Sequence, residues 1–339
     1  MPTAVNPELL ARLVRGEVLA RQEASDALSG VLAGEVSDVL IASFLTALAQ
    51  RGETPEEMTG FIDAMVTAGT TFSVVEGAMD IVGTGGDRMH SVNVSTMTAF
   101  TVAGLGVPVA KHGNRAASSS VGTADVLEGL GVNIDVDGEV VARCVTEAGM
   151  GFCFAPRFHS GLRHLGPIRK ALAFPTAFNV LGPMANPAGV RRLLIGVANP
   201  SMMERMAEVL RARNIERATL LHSHDGLDEL SLGSPSTLYV IANGEISTDV
   251  IDAGELLGVR HDAASIRGGD LATNVRAVEE YLAGTPGPVF DVVTANAAMA
   301  LQVAGRANSL SEGFEMARES VRQGHAAKVL ETLRRISNQ

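Results

Sequence analysis

The sequence predicts an α/β protein: a small all-helical N-terminal domain, then a larger α/β domain whose mainly parallel central sheet is covered by helices. Two observations support this prediction. The first part of the chain shows the periodicity of amphipathic helices and almost no strand pattern. From Asp80 onward, short runs of Val, Ile and Ala alternate with helical segments. A chain of 339 residues, 46% of them hydrophobic, is long enough to pack both units.

The helical domain is predicted to occupy residues 1–75. The last of its helical segments has a complete start signal, with Thr54 as N-cap, Pro55 as the first helical residue and Glu57 as the carboxylate that reaches back to the cap. The later segment 162–190 is rich in Pro, Gly and basic residues and poor in strand character. We expect it to join the helical domain and to line a cleft.

The α/β domain is predicted to comprise residues 76–161 and 191–339. Its short apolar runs are "DIVGTGG", "VPVAKHG", "VNIDV", "GFCFAP", "RRLLIGVAN" and "RATLLHS". The stretch "LYVIANGEI" is predicted to form a further hairpin. Because helical segments separate the earlier runs, most strands are expected to be parallel.

Composition excludes several classes of function. A net charge of −11 argues against broad binding to nucleic acid or anionic membranes, since such surfaces need clustered Lys and Arg. Cys144 and Cys153 cannot form a disulfide framework, and no zinc-type spacing is present, which favours a reducing compartment. No apolar run reaches membrane-spanning length, and the first residues resemble an amphipathic helix and not a signal peptide. We therefore expect a cytoplasmic protein.

The first candidate site is the turn "GTGGD", between a strand and a helix. Such a turn lets backbone N–H groups approach an anion, and the helix N-terminus adds its partial positive charge. It is not a Rossmann fingerprint, because the third position falls on Arg88, and no Walker lysine follows. A tight turn without a ligand is an equal alternative for this element alone. The polar side chains of Asn93, Ser95 and Thr96 favour phosphate or magnesium binding, or capping of the helix.

A second loop of the same kind follows the next strand, in "VAKHGNRAASSSVGTADVLEGLG". Lys111 and Arg115 bring charge, Gly113 brings backbone access, and hydroxyls come from Ser118, Ser119, Ser120 and Thr123. A solvated basic loop is the alternative. Ligands of open parallel sheets bind at the carboxyl ends of strands, so the two loops are expected to embrace one ligand with more than one phosphate.

A third loop, in "LLHSHDGLDELS", carries Asp225, Asp228 and Glu229. Magnesium usually takes one or two protein carboxylates together with water and substrate phosphates, so these side chains are candidate ligands. By itself, an ordinary acidic turn would be the favoured interpretation. His222 and His224 alternate at a strand end, which is more typical of structural or solvent-facing histidines than of a transition-metal site.

Several motifs in order now identify a resemblance. The chain resembles the anthranilate phosphoribosyltransferase family nearly end to end, through "GTGGD", "NVST", "KHGNRAASS", "RHLGPIRK", "FNVLGPMANPAG" and "DGLDELS". The resemblance implies a helical domain packed on an α/β domain, and a homodimer formed through the helical part. It implies transfer of the phosphoribosyl group of 5-phosphoribosyl 1-pyrophosphate to anthranilate, in tryptophan biosynthesis. The fold is shared with pyrimidine nucleoside phosphorylases.

The resemblance also implies residue roles. The residues implied to bind phosphoribosyl pyrophosphate are Gly83, Gly86, Asp87, Ser91, Asn93, Val94, Ser95, Thr96, Lys111, His112, Gly113, Asn114, Arg115, Ala116, Ala117, Ser118, Ser119 and Thr123. The residues implied to serve two Mg²⁺ ions are Ser95, Asp228 and Glu229. The residues implied to face anthranilate are Gly83, Asn114, His159 and Arg169. Of these residues, the ones implied to act in catalysis are Lys111, Asn114 and Arg169.

Three positions depart from the usual family pattern. Arg88 stands where glycine is common, Ser160 follows His159 where proline is usual, and Ser91 replaces threonine. The first two concern the acceptor side, and the donor side keeps its pattern. The alternatives are a related enzyme with another aromatic or heterocyclic amine acceptor, a pyrimidine nucleoside phosphorylase, and a phosphoribosyl pyrophosphate-binding regulatory protein. His112 and His159 are candidates for a general base.

Overall fold

The N-terminal part of the computed structural model, which describes residues 5–116 and 121–339, is helical as predicted. Its helices are α1 (Pro7–Val14), α2 (Arg21–Leu32), α3 (Asp38–Arg51) and α4 (Pro55–Ala68). The predicted start of α4 is confirmed: Thr54 Oγ1 accepts the Glu57 N–H over 3.2 Å, and the Glu57 carboxylate accepts the Thr54 N–H over 2.9 Å. Local sequence thus determines where α4 begins.

The described residues contain a seven-stranded, mainly parallel sheet in the order β3-β2-β1-β4-β5-β6-β7. Its strands are β1 (Met79–Gly83), β2 (Val109–Gly113), β3 (Met150–Phe154), β4 (Arg192–Gly196), β5 (Arg217–Ser223), β6 (Ser236–Ala242) and β7 (Glu245–Ile251). Strands β1 to β5 are parallel, and β6 and β7 add an antiparallel hairpin, as predicted. The order reverses beside β1, which places a ligand crevice at its carboxyl end.

One predicted strand is absent. The run "VNIDV", residues 132–136, is an irregular connection between two helices. Val132 and Ile134 are buried in the core and Asn133 and Asp135 point outward, so this alternation anchors a loop without any ladder of hydrogen bonds. Alternation alone does not distinguish the two structures.

Helices cover both faces of the sheet. They are α5 (Val94–Gly104), α6 (Thr123–Gly129), α7 (Gly138–Ala148), α8 (Ala155–Phe158), α9 (Leu165–Leu172), α10 (Phe178–Leu181), α11 (Met203–Ala212), α12 (Ala253–Leu257), α13 (Leu271–Leu282), α14 (Pro288–Val303), α15 (Leu310–Arg322) and α16 (His325–Ser337). Short 3₁₀ turns lie at Ser160–His164, Gly182–Met184, Pro200–Met202 and Ala263–Ile266. Among the described residues, no helix is long and apolar enough to cross a lipid bilayer.

The two faces of the sheet bury separate hydrophobic cores. Ile81 and Val109 belong to a core shared with α5, α14 and α16. Val82 and Ala110 belong to a second core that also contains the N-terminal helices and α11. Residues of the segment 162–190, including Leu165 and Ile168, lie in this second core, which favours its predicted association with the helical domain. The exact division of the chain into domains stays a prediction.

Candidate active site

The loop between β1 and α5 follows the end of the central strand. Four of its residues have left-handed backbone conformations, Gly85, Gly86, Arg88 and His90, with φ angles of 66°, 87°, 61° and 53°. Glycine adopts such angles freely, whereas a residue with a Cβ is strained there. The loop therefore curls tightly, and Arg88 and His90 are held in the curl with their side chains exposed.

A second segment, which sequence reasoning missed, supports this loop. The Val92 N–H donates to the Ile266 carbonyl over 2.9 Å, and the Gly268 N–H donates to the His90 carbonyl over 2.8 Å. These bonds form an isolated antiparallel bridge between Ser91 and Arg267. Backbone pairing of this kind leaves no side-chain pattern from which to predict it.

Helix α5 begins beside the loop with three polar side chains, Asn93, Ser95 and Thr96, in its first turn. Asn93 occupies the N-cap position, but its side chain makes no capping bond, and its buried Oδ1 has no partner among the described residues. Ser95 Oγ accepts a hydrogen bond from Lys111, and Thr96 Oγ1 lies 3.5 Å from Thr123 Oγ1. Val94 is buried in the core, so only its backbone can reach a ligand.

Lys111 lies in the middle of β2 and is only 1% exposed. Its Nζ donates to the Ile81 carbonyl and, over 3.1 Å, to Ser95 Oγ. Burial lowers the pKa of this ammonium group, and the charges of Asp80 and Glu229 oppose that effect. A buried lysine directed at the start of α5 is well placed to meet an anion.

The loop after β2 is described up to residue 116 and again from residue 121. Gly113 is required there because a Cβ would lie 2.9 Å from the Phe152 ring. Asn114 Oδ1 accepts the Arg115 N–H, and Arg115 pairs with Asp125 and Glu128 of α6, so in this conformation its guanidinium is occupied by protein carboxylates. The Ala116 N–H donates to Asp125. The predicted residues Ala117, Ser118 and Ser119 lie outside the described residues, as does Ser120.

The loop after β5 brings Asp228 over the crevice between β1 and β4. Its Oδ2 accepts the Gly85 N–H over 3.1 Å. A Cβ on Gly83 would lie 2.8 Å from that oxygen, and a Cβ on Gly196 would overlap the Asp228 carbonyl. The neighbouring Asp225 instead accepts a bond from Ser231 Oγ over 2.5 Å, which makes it part of the turn.

The carboxylates here lie together and are largely shielded from water. Burial and the charge of Asp87 raise the pKa of Asp228 to about 7, and burial and Asp228 raise the pKa of Glu229. Asp87 adds a buried Oδ2 with no partner among the described residues. Lys111 and the Ser95 N–H act in the opposite direction on the pKa of Glu229, but a single lysine cannot neutralise three carboxylates.

This donor set fits Mg²⁺. The described residues contain no ready-made group of three or more His, Cys, Asp or Glu side chains for a metal. Magnesium does not need one, because it usually takes one or two carboxylates and completes its octahedron with water and substrate phosphates. The oxygens of Asp228, Glu229 and Ser95 are hard donors, and the buried, unpaired oxygen of Asp87 indicates that positive charge is required here.

Arg169 lies on α9, in the segment that packs beside the N-terminal helices. Its guanidinium donates to Asn179 Oδ1 over 3.2 Å and stands 5.7 Å from the centre of the Phe178 ring. Burial lowers its pKa, and it has no carboxylate partner among the described residues. A partly buried guanidinium without a counter-charge is suited to bind the carboxylate of a ligand.

His112 and His159 connect the segment 162–190 to the sheet. Their rings meet edge to face with centroids 5.3 Å apart, and they bond to the Gly182 and Ala185 carbonyls, at 3.1 and 2.9 Å. Burial and the neighbouring ring lower the pKa of His112 to about 3, and burial lowers the pKa of His159. A pKa this low makes His112 a weak proton acceptor at neutral pH, whereas a general-base role of His159 stays a prediction.

A cavity of about 570 Å³ opens beside these loops. Its lining includes Arg115, Phe154, Phe158 and Arg163, together with the acidic residues Glu128, Asp135 and Asp137. Its aromatic walls and its arginines border the connection from β3 to α9.

Comparison with known proteins agrees with this arrangement. Residues 75–327 match the model of the glycosyl transferase family, a/b domain, and residues 7–69 match that of its helical bundle domain. The chain is 48% identical over 335 residues to the anthranilate phosphoribosyltransferase of Thermomicrobium roseum, covering 97% of this chain and 96% of the relative. For the enzyme of Salinispora arenicola the identity is 45%, with 96% and 94% covered. This chain belongs to the anthranilate phosphoribosyltransferase family.

Solved structures of the anthranilate phosphoribosyltransferase family have the same fold. The enzyme of Thermus thermophilus superposes with a TM-score of 0.92 at 37% identity, covering 97% of this chain and 99% of that one. The enzyme of Saccharomyces cerevisiae, in complex with PRPP and Mg, superposes with a TM-score of 0.89 at 26% identity, covering 98% and 99%. The predicted fold class and family are thus confirmed.

The structure shows where the three residues lie that depart from the usual anthranilate phosphoribosyltransferase pattern. Arg88 takes the left-handed conformation that the family's usual glycine would adopt without strain. Ser160 is exposed and begins a 3₁₀ turn directly after the buried His159. Ser91 lies in the bridge to Arg267. Two further buried residues, Asp80 and Asn186, were missed; the signal was an acid inside an apolar strand.

Proposed function

We infer that this chain transfers the phosphoribosyl group of 5-phosphoribosyl 1-pyrophosphate to the amino group of anthranilate, releasing pyrophosphate in tryptophan biosynthesis. The observation that carries this inference is the convergence of Lys111, Ser95 and the carboxylates of Asp228 and Glu229 at the end of the parallel sheet. Its membership of the anthranilate phosphoribosyltransferase family agrees with this function.

On the donor side, we propose that the described residues among those implied by the sequence bind phosphoribosyl pyrophosphate at the ends of β1 and β2. Gly83, Gly86 and Asp87 form the curled loop, and Asn93 to Thr96 begin α5. Ser95, Asp228 and Glu229 would hold Mg²⁺, which neutralises charge on the pyrophosphate when bound. We propose two ions, because three clustered carboxylates and a diphosphate carry more negative charge than one divalent cation balances.

The reaction is a substitution at the anomeric carbon. The bond from C1 of the ribose to the pyrophosphate oxygen breaks, a bond from C1 to the anthranilate nitrogen forms, and the amine loses one proton to water. The transition state resembles an oxocarbenium ion, and negative charge develops on the departing pyrophosphate. The Lys111 ammonium and the backbone N–H groups of the glycine loop stabilise that charge. No covalent enzyme intermediate is required.

On the acceptor side, Arg169 would bind the carboxylate of anthranilate through its planar guanidinium. The guanidinium has no carboxylate partner among the described residues, which supports the proposal. Gly83 and Asn114 would approach the ring from the donor loops. His159 is buried and bonds to the Ala185 carbonyl. We therefore propose that it holds the segment 162–190 in place as well as contacting anthranilate.

We propose that the protein forms a homodimer through its helical N-terminal region. Three valines of this region are exposed: Val14 at the end of α1 by 77%, Val18 shortly after it by 56%, and Val39 of α3 by 75%. Exposed apolar side chains are the usual material of an interface between protein chains. Light scattering should give the mass of two chains, and Val39→Asp should give the mass of one; a parent protein that is monomeric at micromolar concentration would contradict the proposal.

The first experiment follows the fluorescence of anthranilate with purified protein, phosphoribosyl pyrophosphate and Mg²⁺. Loss of fluorescence that EDTA abolishes supports the proposed function. An unchanged signal, together with Mg²⁺-dependent donor binding in calorimetry, would instead indicate another amine acceptor. Phosphorolysis of a pyrimidine nucleoside without any use of phosphoribosyl pyrophosphate would indicate the phosphorylase alternative.

A further inference from the structure

Strands β1 and β2 pair only at their beginning. In the described residues, the register between them holds at Met79 and Val109. By contrast, β1 pairs with β4 from Met79 through Gly83, and β2 pairs with β3 from Val109 through Gly113. Beyond their first pair, the backbone groups of β1 and β2 that face each other must therefore find partners elsewhere.

Two buried side chains supply those partners. Asp80 Oδ1 accepts the His112 N–H over 3.1 Å, and its Oδ2 accepts Asn186 Nδ2 over 2.8 Å. Asn186 Nδ2 also donates to the Ala110 carbonyl over 2.8 Å, and its Oδ1 accepts the Ala188 N–H over 2.9 Å. The pair thus satisfies the His112 N–H and the Ala110 carbonyl of β2, and Lys111 Nζ donates to the Ile81 carbonyl of β1.

The two groups on β2 that the pair holds flank Lys111. The Ala110 carbonyl belongs to the peptide unit before Lys111, and the His112 N–H belongs to the unit after it. Side chains alternate along a strand, so the lysine projects away from Ala110, and its Nζ reaches Ser95 on α5. The backbone from which the lysine projects is therefore fixed on both sides.

We propose that Asp80 and Asn186 are positioning residues that hold Lys111 in its catalytic place and tie the segment 162–190 to strands β1 and β2. The inference rests on the proposed function, because it assigns Lys111 to the leaving pyrophosphate. Burial of a carboxylate is unfavourable, and it raises the pKa of Asp80 to about 6. A buried acid bonded to the backbone beside a catalytic residue has a role beyond packing.

A double-mutant cycle tests whether the pair acts through Lys111. Asn186→Ala should lower kcat/KM roughly 10- to 100-fold, because a displacement of about 1 Å is enough for such a loss. In the Lys111→Ala background, the same substitution should change kcat/KM by less than about twofold, since the group that it positions is gone. Asp80→Asn preserves the side-chain volume, disturbs the bond to Asn186 and should behave alike, so the test survives if Asn186→Ala fails to fold.

The control variant is Tyr281→Phe. It removes another fully buried hydrogen bond, the 2.5 Å contact with Thr101, in the opposite core. It should leave kcat/KM within about twofold of the parent. Equal losses from Asn186→Ala in both backgrounds, or an unchanged rate, would overturn the inference.

Amide hydrogen exchange gives a readout that does not depend on activity. In Asn186→Ala and Asp80→Asn, the peptide spanning 109–113 should exchange at least about tenfold faster than in the parent, and Tyr281→Phe should match the parent. Faster exchange in a protein that does not use anthranilate would refute the proposed function and retain the positioning of this strand. Unchanged exchange would overturn the inference in an active protein and an inactive one alike.

Discussion

The carboxylate of Asp228 lies against Gly83, so close that a Cβ on this glycine would stand 2.8 Å from Oδ2. The same carboxylate accepts the Gly85 N–H. The loop after β1, which contains these glycines, and the loop after β5, which carries Asp228, are therefore in close contact. We expect a change in one loop to displace the other.

Gly83→Ala should raise the Mg²⁺ concentration that the reaction requires. The added methyl group pushes the Asp228 carboxylate out of place, so we expect at least about a tenfold higher Mg²⁺ requirement and about a hundredfold loss of kcat/KM. Titration of the rate with Mg²⁺ measures this effect. Gly166→Ala is the matched control, because a Cβ there meets no atom within 4 Å. Parent-like Mg²⁺ dependence in Gly83→Ala would refute the assignment of Asp228.

Lys111→Ala should lower kcat by roughly a hundredfold or more, the usual effect of losing one preorganised donor to a developing anion. Lys328→Ala, at an exposed position of helix α16, should have the parent rate. Steady-state kinetics at saturating levels of both substrates decides the matter. An unaltered kcat in Lys111→Ala would show that the leaving group is stabilised by other residues.

Arg88→Gly should stabilise the protein and weaken donor binding. The left-handed conformation costs about 1–2 kcal/mol for a residue with a Cβ, and glycine loses part of that gain through its flexible unfolded state, so we expect about 0.5–1 kcal/mol in urea unfolding. Asn214→Gly relieves a similar backbone angle without removing a charge, and it controls for strain alone. Only Arg88→Gly should raise the KM for phosphoribosyl pyrophosphate. A KM that does not move would confine Arg88 to the acceptor entrance.

Glu57→Ala should destabilise the helical region. This buried carboxylate accepts bonds from the Leu19 and Thr54 N–H groups and pairs with Arg51 over 2.6 Å. Its removal leaves a largely buried arginine unpaired, which typically costs about 3–5 kcal/mol. Urea unfolding measures the loss, and exposed Glu8→Ala of α1 is the comparison. A loss no greater than that of the comparison variant would show that Arg51 finds another partner.

His112 should make the protein less stable in acid. Its pKa falls from 6.5 to about 3 on folding, so between these values the unfolded chain binds more protons. Stability from this residue is full above pH 6.5 and falls by about 1.4 kcal/mol per pH unit as the pH drops through that window. In His112→Gln, the free energy of unfolding should lack this part of its dependence on pH. Exposed His325→Gln provides the control. Parallel stability curves for His112→Gln and the parent would contradict the burial of a neutral ring.

The local features of this molecule were predictable from sequence. The cap at Thr54 and Glu57 needs only neighbouring residues, and the strand runs that precede the glycine loops were read correctly from their apolar content. The family motifs then predicted that Asp228 and Lys111 belong to the same site. The site roles themselves stay predictions until the variants above are measured.

Features that depend on distant contacts were not predictable. Asp80 looked like an ordinary start of a strand, although it meets Asn186 across 106 positions of sequence. Residues 132–136 alternate like a strand but have no neighbouring strand with which to pair. His112 and His159 looked like candidate bases, and their burial, which lowers the pKa of both, depends on contacts with distant residues.

The close fit of Asp228 to two glycines has a consequence for directed evolution of this scaffold. We expect libraries that diversify position 83 or 196 to yield mostly inactive proteins, because a side chain at 196 would overlap the Asp228 carbonyl and one at 83 would contact the Asp228 carboxylate. Arg88 and Ser160, the two departures from the family pattern on the acceptor side, are exposed and have no such restriction. We therefore expect new acceptor preferences to come from mutagenesis at these two exposed positions, and not from positions 83 and 196.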